Sequence, residues 1–296
     1  MNKKLIPILI FAILILISCS SPEDQDSFSF IFMTDVHLES DNNAPEGFAM
    51  AINKINSLNP EFVISGGDNI DDALEQDYER ADKLFTMYID QIKKLKMSVY
   101  NTPGNHDIFG VFTKGNVDPS HPEYGDKMFI KRLNKTFYSF DFKGWHFIIL
   151  NTVKIMEEDY IGEISVEQIE WIKNDLQNVG KKIPVAISTH VPFFTIMPQI
   201  DKRFKYEKFT ISNSQEVLEL FKDHNLKFVL QGHVHNYENI YSRGIWFISG
   251  GAVCAGWWEG TLHGMEEGFV EFTITGEEFT WKYIDYGWEV PEKKDN

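Results

Sequence analysis

The sequence predicts a layered α/β fold in one domain, and three features of its patterning carry that prediction. From Ser27 onward one theme recurs: a short apolar run, a loop rich in Gly, Asp, Asn or His, then a segment of helical periodicity. The apolar runs are continuous rather than alternating, as in strands buried on both faces. Late in the chain the runs alternate and are broken by glycine, which reads as antiparallel additions. At 296 residues and 43% hydrophobic content the chain can bury a sizeable core. No repeat, low-complexity tract or linker divides it.

Taken in order, SFIFM (29–33) leads into the loop TDVH, and a helix is expected over 44–58. EFVIS (61–65) leads into GGDN. A helix over 73–96 precedes MSVYN (97–101) and the loop TPGNHD. The stretch TFYSFDFKGWHFIILN (136–151) alternates and turns at Lys143-Gly144, so a hairpin is expected. Ser165 with Gln168 three residues on opens a helix over 165–178 as a capping box. VAIS (185–188) precedes THVP, and after a helix over 212–223 KFVL (227–230) precedes QGHVH. YSRGIWFISGG, GFVEFTIT and EFTWKYIDY, the last two separated at Gly276, close the chain as antiparallel strands.

The first residues have a basic start, Lys3 and Lys4, then an apolar run from Leu5 to Ile17. That run is shorter than the roughly 20 residues a bilayer-spanning helix needs, so it reads as an export signal. Leu16-Ile17-Ser18-Cys19 resembles a bacterial lipobox, in which the cysteine becomes the lipidated first residue. The alternative is an uncleaved N-terminal anchor, and either reading places the domain outside the cytoplasm. The expected organisation is a leader over 1–18, an acidic tether over 19–27, one domain over 28–286 and a polar tail over 287–296. Only Cys254 remains after Cys19, so no intramolecular disulfide is available. Cys254 sits among small apolar residues and reads as a buried inert thiol. A formal net charge of -16 argues against a nucleic-acid partner and requires a local cationic centre for any anionic substrate.

In layered α/β folds ligands bind beyond the carboxyl ends of strands, and since all five polar loops follow a strand they can face one another. Asp35 and His37 lie two apart, the spacing at which side chains of an extended segment point the same way. Asp68 follows two glycines; Asn105, His106 and Asp107 run in immediate succession after a third. His190 is alone in its loop, and His233 and His235 flank Val234. Each motif alone is weak, but jointly and in this order they resemble the calcineurin-like metallophosphoesterase family over nearly the whole chain after the leader.

That resemblance implies a four-layer α/β/β/α sandwich of two mixed sheets. It implies that Asp35, His37 and His235 hold one metal ion, that Asn105, His190 and His233 hold a second, and that Asp68 bridges both. His106 would contact substrate and protonate the leaving oxygen, with Asp107 orienting it. Two divalent ions clamp phosphoryl oxygens and lower the pKa of a bridging water, so hydroxide attacks phosphorus and no side-chain nucleophile is required. Nitrogen and oxygen donors without thiolate suit Mn, Zn, Fe or Co. Where purple acid phosphatases of the same family carry a tyrosine three residues after the bridging aspartate, this chain has Asp71, which speaks against a ferric chromophore. Asp71 and Asp72 read as loop or cap carboxylates.

Substrate selection is expected in the insertion 108–124, in 190–194 and in 250–258. Trp257 and Trp258 are candidates to stack on a sugar or base, or else to pack against the body; Lys114, His121 and Lys127 are solvated loop residues or a second anion seat. His146 and His224 read as structural, and His263 is undecided. The leading function is hydrolysis of a small phosphomonoester or phosphodiester by a membrane-anchored, exported lipoprotein, with a cyclic-nucleotide-type phosphodiesterase as the alternative. A binding lipoprotein that keeps its metals as structural clips is the reading from another class.

Overall fold

The computed structural model describes residues 27–291. The leader, Cys19 and nearly all of the acidic tether lie outside the described residues. Along the chain run β1 (Ser27–Met33), α1 (Ala44–Leu58), β2 (Phe62–Ser65), α2 (Tyr78–Ile92), β3 (Ser98–Asn101) and α3 (Lys127–Arg132). Then come β4 (Tyr138–Phe142), β5 (Trp145–Ile149), β6 (Val153–Met156), β7 (Asp159–Gly162), α4 (Val166–Asn178) and β8 (Pro184–Ser188). The last stretch holds α5 (Met197–Ile200), α6 (Tyr206–Phe209), α7 (Ser214–Leu220), β9 (Asn225–Gln231), β10 (Tyr237–Ser242), β11 (Ile245–Gly250), β12 (Gly268–Thr275) and β13 (Glu278–Asp285).

Two mixed sheets result, in strand order β13-β12-β1-β2-β3 and β10-β11-β9-β8-β5-β4. The runs followed by polar loops pair in parallel: β1 with β2 and β2 with β3 in one sheet, β8 with β5 and β9 in the other. Of the late additions, β12 pairs antiparallel with β1 and β13, and β10 with β11, as expected, but β11 itself joins the second sheet parallel to β9, which corrects the expectation of purely antiparallel additions.

The continuous apolar character of β1 now has its cause. Phe30 and Phe32 face the core between the sheets, while Ile31 and Met33 face α1 and α2. Between the sheets Phe30 stacks on Phe272 at 4.7 Å and on Phe62 at 5.0 Å, with Phe147 edge-on at 5.6 Å. Such pairs contribute about 0.5–1.5 kcal/mol each beyond burial itself. On the outer face of the second sheet, Ile169 and Ile172 of α4 and Val217 of α7 cover Ile148, Ile187 and Val229. The layers are therefore helix, sheet, sheet, helix. Among the described residues no helix is long and apolar enough to cross a membrane.

Several boundaries differ from the sequence reading. The helix expected from 73 starts at Tyr78, because Asp72 takes the amides of Leu74 and Glu75 into a turn and Asp77 caps instead, accepting from Arg80 N. Ser165 does cap α4 through Gln168 N, but the Gln168 side chain bonds both backbone groups of Asn151, so the box is not reciprocal. Ser27, read as tether, already belongs to β1, and Trp288, read as polar tail, is buried against Trp258. The β6–β7 hairpin and the short helices α3, α5 and α6 have no counterpart in the sequence reading.

Candidate metal centre

All five polar loops meet at the carboxyl ends of β1, β2 and β3 in one sheet and β8 and β9 in the other. Asp35, His37, Asp68, Asn105, His190, His233 and His235 are buried there together. The loops are tied backbone to backbone: Asp35 N donates to Gly67 O at 3.0 Å, Val36 N and His37 N donate to Asp68 O, and Gly232 N donates to His190 O. Such close approach needs glycine. A Cβ on Gly104 would stand 2.1 Å from Asp68 N, and one on Gly232 would stand 2.2 Å from Thr34 Oγ1.

The pairwise spacing works by a different geometry from the one expected. Asp35 and His37 have φ of 55° and 43°, Asp68 has 51°, and His233 and His235 have 72° and 48°. Five of the seven residues thus hold the left-handed conformation, which costs side-chain-bearing residues about 1–2 kcal/mol each. In both two-apart pairs the intervening valine, Val36 or Val234, is buried. Left-handed turns around a buried valine, not an extended strand, aim each pair at the cluster.

Within it, His37 Nε2 lies 3.0 Å from His235 Nε2, and His235 Nε2 lies 3.4 Å from Asp35 Oδ1. His190 Nε2 lies 3.1 Å from Asn105 Oδ1. Asp68 Oδ2 stands between the groups, 3.5 Å from His37 Nε2 and 3.1 Å from His190 Nε2. Ring atoms of His190 and His233 and an Asp68 oxygen also fall within 4.8 Å of one another.

The donor set fits divalent ions. One ring nitrogen of each histidine is held by a carbonyl: His37 Nδ1 by Asp71 O, His190 Nδ1 by Gly66 O, His235 Nδ1 by Ala255 O and His233 Nε2 by Lys208 O. That anchor fixes the tautomer and leaves the other nitrogen for a ligand bond. Burial and then the neighbouring histidines push His37 and His233 down to about 3, so both stay neutral with a free lone pair. Asp68 is held well below the usual carboxylate range: burial opposes ionisation, and His190 and His106 outweigh it. His190 rises, burial being outweighed by Asp68. Buried carboxylates here thus demand positive charge, which ions or protons supply.

The structure reassigns the partner of His106. Both oxygens of Asp107 serve the backbone, accepting from Asn69 N, Gly104 N and the Asn69 side chain, so this carboxylate bolts two loops together. The carboxylate beside the His106 ring is Asp72, which also accepts from Leu74 N and Glu75 N and whose Oδ1 meets Nδ1 at 3.3 Å as a charge contact rather than a hydrogen bond. Burial lowers the His106 pKa, but Asp68 and then Asp72 raise it further, to about 9. Unlike the seven buried residues, the His106 side chain is 29% exposed.

A cavity of about 260 Å³ opens over the cluster. Its rim comes from Tyr160 of β7, from Arg203, Phe204 and Phe209 around α6, and from Trp257, Leu262 and His263. Of the three segments expected to select substrate, only 250–258 reaches it. The insertion 108–124 wraps the start of α2, with Lys114 paired to Glu75 and His121 against the Tyr78 ring. Phe193 N and Phe194 N are held by Gln231 Oε1, so 190–194 acts as a brace. Trp258 is buried with its indole N–H on Val36 O and His37 O, whereas Trp257 faces the cavity. The sequence reading missed the 197–209 segment, although Lys202, Arg203, Lys205 and Lys208 concentrate cations there in an acidic chain.

Comparison with known proteins agrees with this geometry. The chain is 27% identical over 229 residues to a probable cyclic nucleotide phosphodiesterase of Coxiella burnetii, covering 75% of this chain and 82% of that protein. It is 22% identical over 232 residues to a 3′,5′-cyclic adenosine monophosphate phosphodiesterase of Haemophilus influenzae, covering 75% of each. In fold it resembles a dimetal phosphatase from Danio rerio (TM-score 0.62, 14% identity, 88% of this chain and 96% of that one). A purple acid phosphatase from yellow lupin gives a TM-score of 0.60 at 17% identity, over 90% of this chain and 52% of the other. Residues 28–237 match the calcineurin-like phosphoesterase family, and the chain therefore belongs to that family of hydrolases, which act on phosphoric esters with a pair of divalent ions.

Proposed function

We propose that this chain is a phosphodiesterase for a compact, singly charged diester of cyclic-nucleotide type, with His106 as the acid for the departing oxygen. The observation that carries the role of His106 is its placement. It alone among the motif histidines is partly exposed, it lines the cavity, and Asp72 and Asp68 favour its protonated form. A proton held there passes to the leaving alkoxide, a contribution of about 10²–10⁴ in rate.

Asp35, His37 and His235 would hold one ion, Asn105, His190 and His233 the other, and Asp68 both. When bound, the ions polarise the phosphoryl oxygens and activate a water. Mn, Zn, Fe and Co all suit these donors. The names of both curated relatives support a diester. So does the rim, where Arg203 is engaged by Asp201 rather than free to meet a second negative charge. Loaded with Mn or Zn, the chain should hydrolyse 3′,5′-cyclic AMP and an aryl phosphodiester with kcat/KM about tenfold or more above an aryl monophosphate. Preference for the monoester would overturn the diester reading.

We also infer export and membrane anchoring through a lipidated Cys19, supported by Lys3 and Lys4, the apolar run 5–17 and the lipobox-like 16–19. Cys19→Ser should shift the chain from the membrane to the soluble fraction; an unchanged distribution would count against the lipid anchor.

A further inference from the structure

The cavity has walls that metal chemistry does not call for. Trp257 holds φ of 53°, a strained conformation for a non-glycine residue, and remains 43% exposed. Its neighbour Trp258 already fastens this loop to the first ligand loop, so anchoring the loop does not require Trp257. The Trp257 ring lies on His235, centroids 4.5 Å apart at 28°. Phe209 lies on His233 with the same 4.5 Å and 28°, and Phe204 meets Phe209 edge-on at 4.6 Å. Each ion's ligand set is thus flanked by an aromatic surface that also lines the cavity. Arg203 beside them is turned to Asp201, with contacts of 2.6 to 3.1 Å, so its guanidinium is paired within the rim.

We propose that Trp257 and the Phe204–Phe209 pair form a slot for a planar ring in the alcohol part of the substrate, a nucleobase in chemical class, and that Trp257 determines specificity. This rests on the phosphodiesterase reading and deepens it. A base stacked on an aromatic side chain gains about 1–3 kcal/mol, a factor of roughly 5 to 150 that a bare sugar ring does not collect. The phosphoryl group lies over the ligands while the ring lies along the wall, so the slot chooses the ester without touching the reacting bond.

The test compares 3′,5′-cyclic AMP with the matching 1-deoxyribose 3′,5′-cyclic phosphate, which has the same scissile bond and no base, on the metal-loaded full chain. Wild type should favour the nucleotide by about tenfold or more in kcat/KM. Trp257→Ala should raise KM for the nucleotide by a similar factor, lower kcat/KM for the nucleotide clearly more than for the abasic ester, and be largely rescued by Trp257→Phe. Equal use of both esters by wild type, or a parallel loss on both in Trp257→Ala, overturns the slot. Calorimetry with 5′-AMP and ribose 5-phosphate separates this from a failure of the phosphodiesterase reading. If neither diester turns over but Trp257→Ala weakens 5′-AMP alone, the slot stands and the diester reading falls; if 5′-AMP binding is unchanged, the slot falls.

Discussion

The floor and the rim of the cavity are built in opposite ways. The floor takes its groups from loops that each follow a strand, clusters them within two or three positions and stitches the loops together by backbone hydrogen bonds. The rim draws on β7, the α5–α6 segment and the loop after β11, which share no spacing. Floor chemistry dictates residue type, since an ion pair accepts only certain donors at certain distances. A rim needs only shape and surface, which many sequences satisfy. The floor is therefore intolerant and the rim adjustable.

The largest expected effect strikes the floor. Among the described residues Asp68 is the one carboxylate within 3.5 Å of histidines from both proposed ligand groups. Asp68→Asn keeps the shape and removes the charge, so turnover should fall about 1,000-fold or more and bound metal per chain should drop with it. Elemental analysis showing a full metal complement would contradict a shared-ligand role. His106→Ala should cost less, about 100-fold, with metal content preserved. Asp72→Asn should cost about tenfold, because it removes an orienting charge and leaves the proton donor in place. If Asp107→Asn instead impaired turnover while leaving folding and metal content intact, the reassignment of the His106 partner to Asp72 would fail.

Legibility in the sequence follows the same division. The parallel strands, the order of the five loops and the seven clustered side chains were readable because each lies next to its apolar run. What was misread concerns contacts between loops. Asp107 is adjacent to His106 in sequence but turns to Asn69, while Asp72, thirty-four positions earlier, closes on the imidazole. The left-handed backbone at Asp35 and His37 is not legible, because Asp and His only favour that region weakly, whereas glycine signals it strongly. Trp257 and Trp258 are neighbours of one type with opposite fates, since one indole meets the carbonyls of Val36 and His37, more than two hundred positions away. Nothing local encodes that difference.

A smaller effect belongs to the scaffold and serves as the reference for both regions. His146 on β5 is buried, with Nδ1 2.7 Å from Asp141 Oδ1 and Nε2 2.8 Å from Asp175 Oδ2; the Ser139 hydroxyl also donates to Asp175. Both nitrogens can donate only when the ring is protonated. Burial lowers its pKa, but Asp175 and Asp141 outweigh burial and raise it above the ordinary value. A group whose folded pKa is raised adds stability that is fully present below the unfolded value, about 6.5, and is lost as pH climbs through the folded one. His146→Gln should therefore destabilise the chain by about 2 kcal/mol near pH 5.5 and by clearly less near pH 9, with metal content and kcat/KM unchanged. Urea unfolding at the two pH values reads the gap directly. An equal gap at both would mean that the imidazole stands neutral between the two carboxylates and contributes by packing alone.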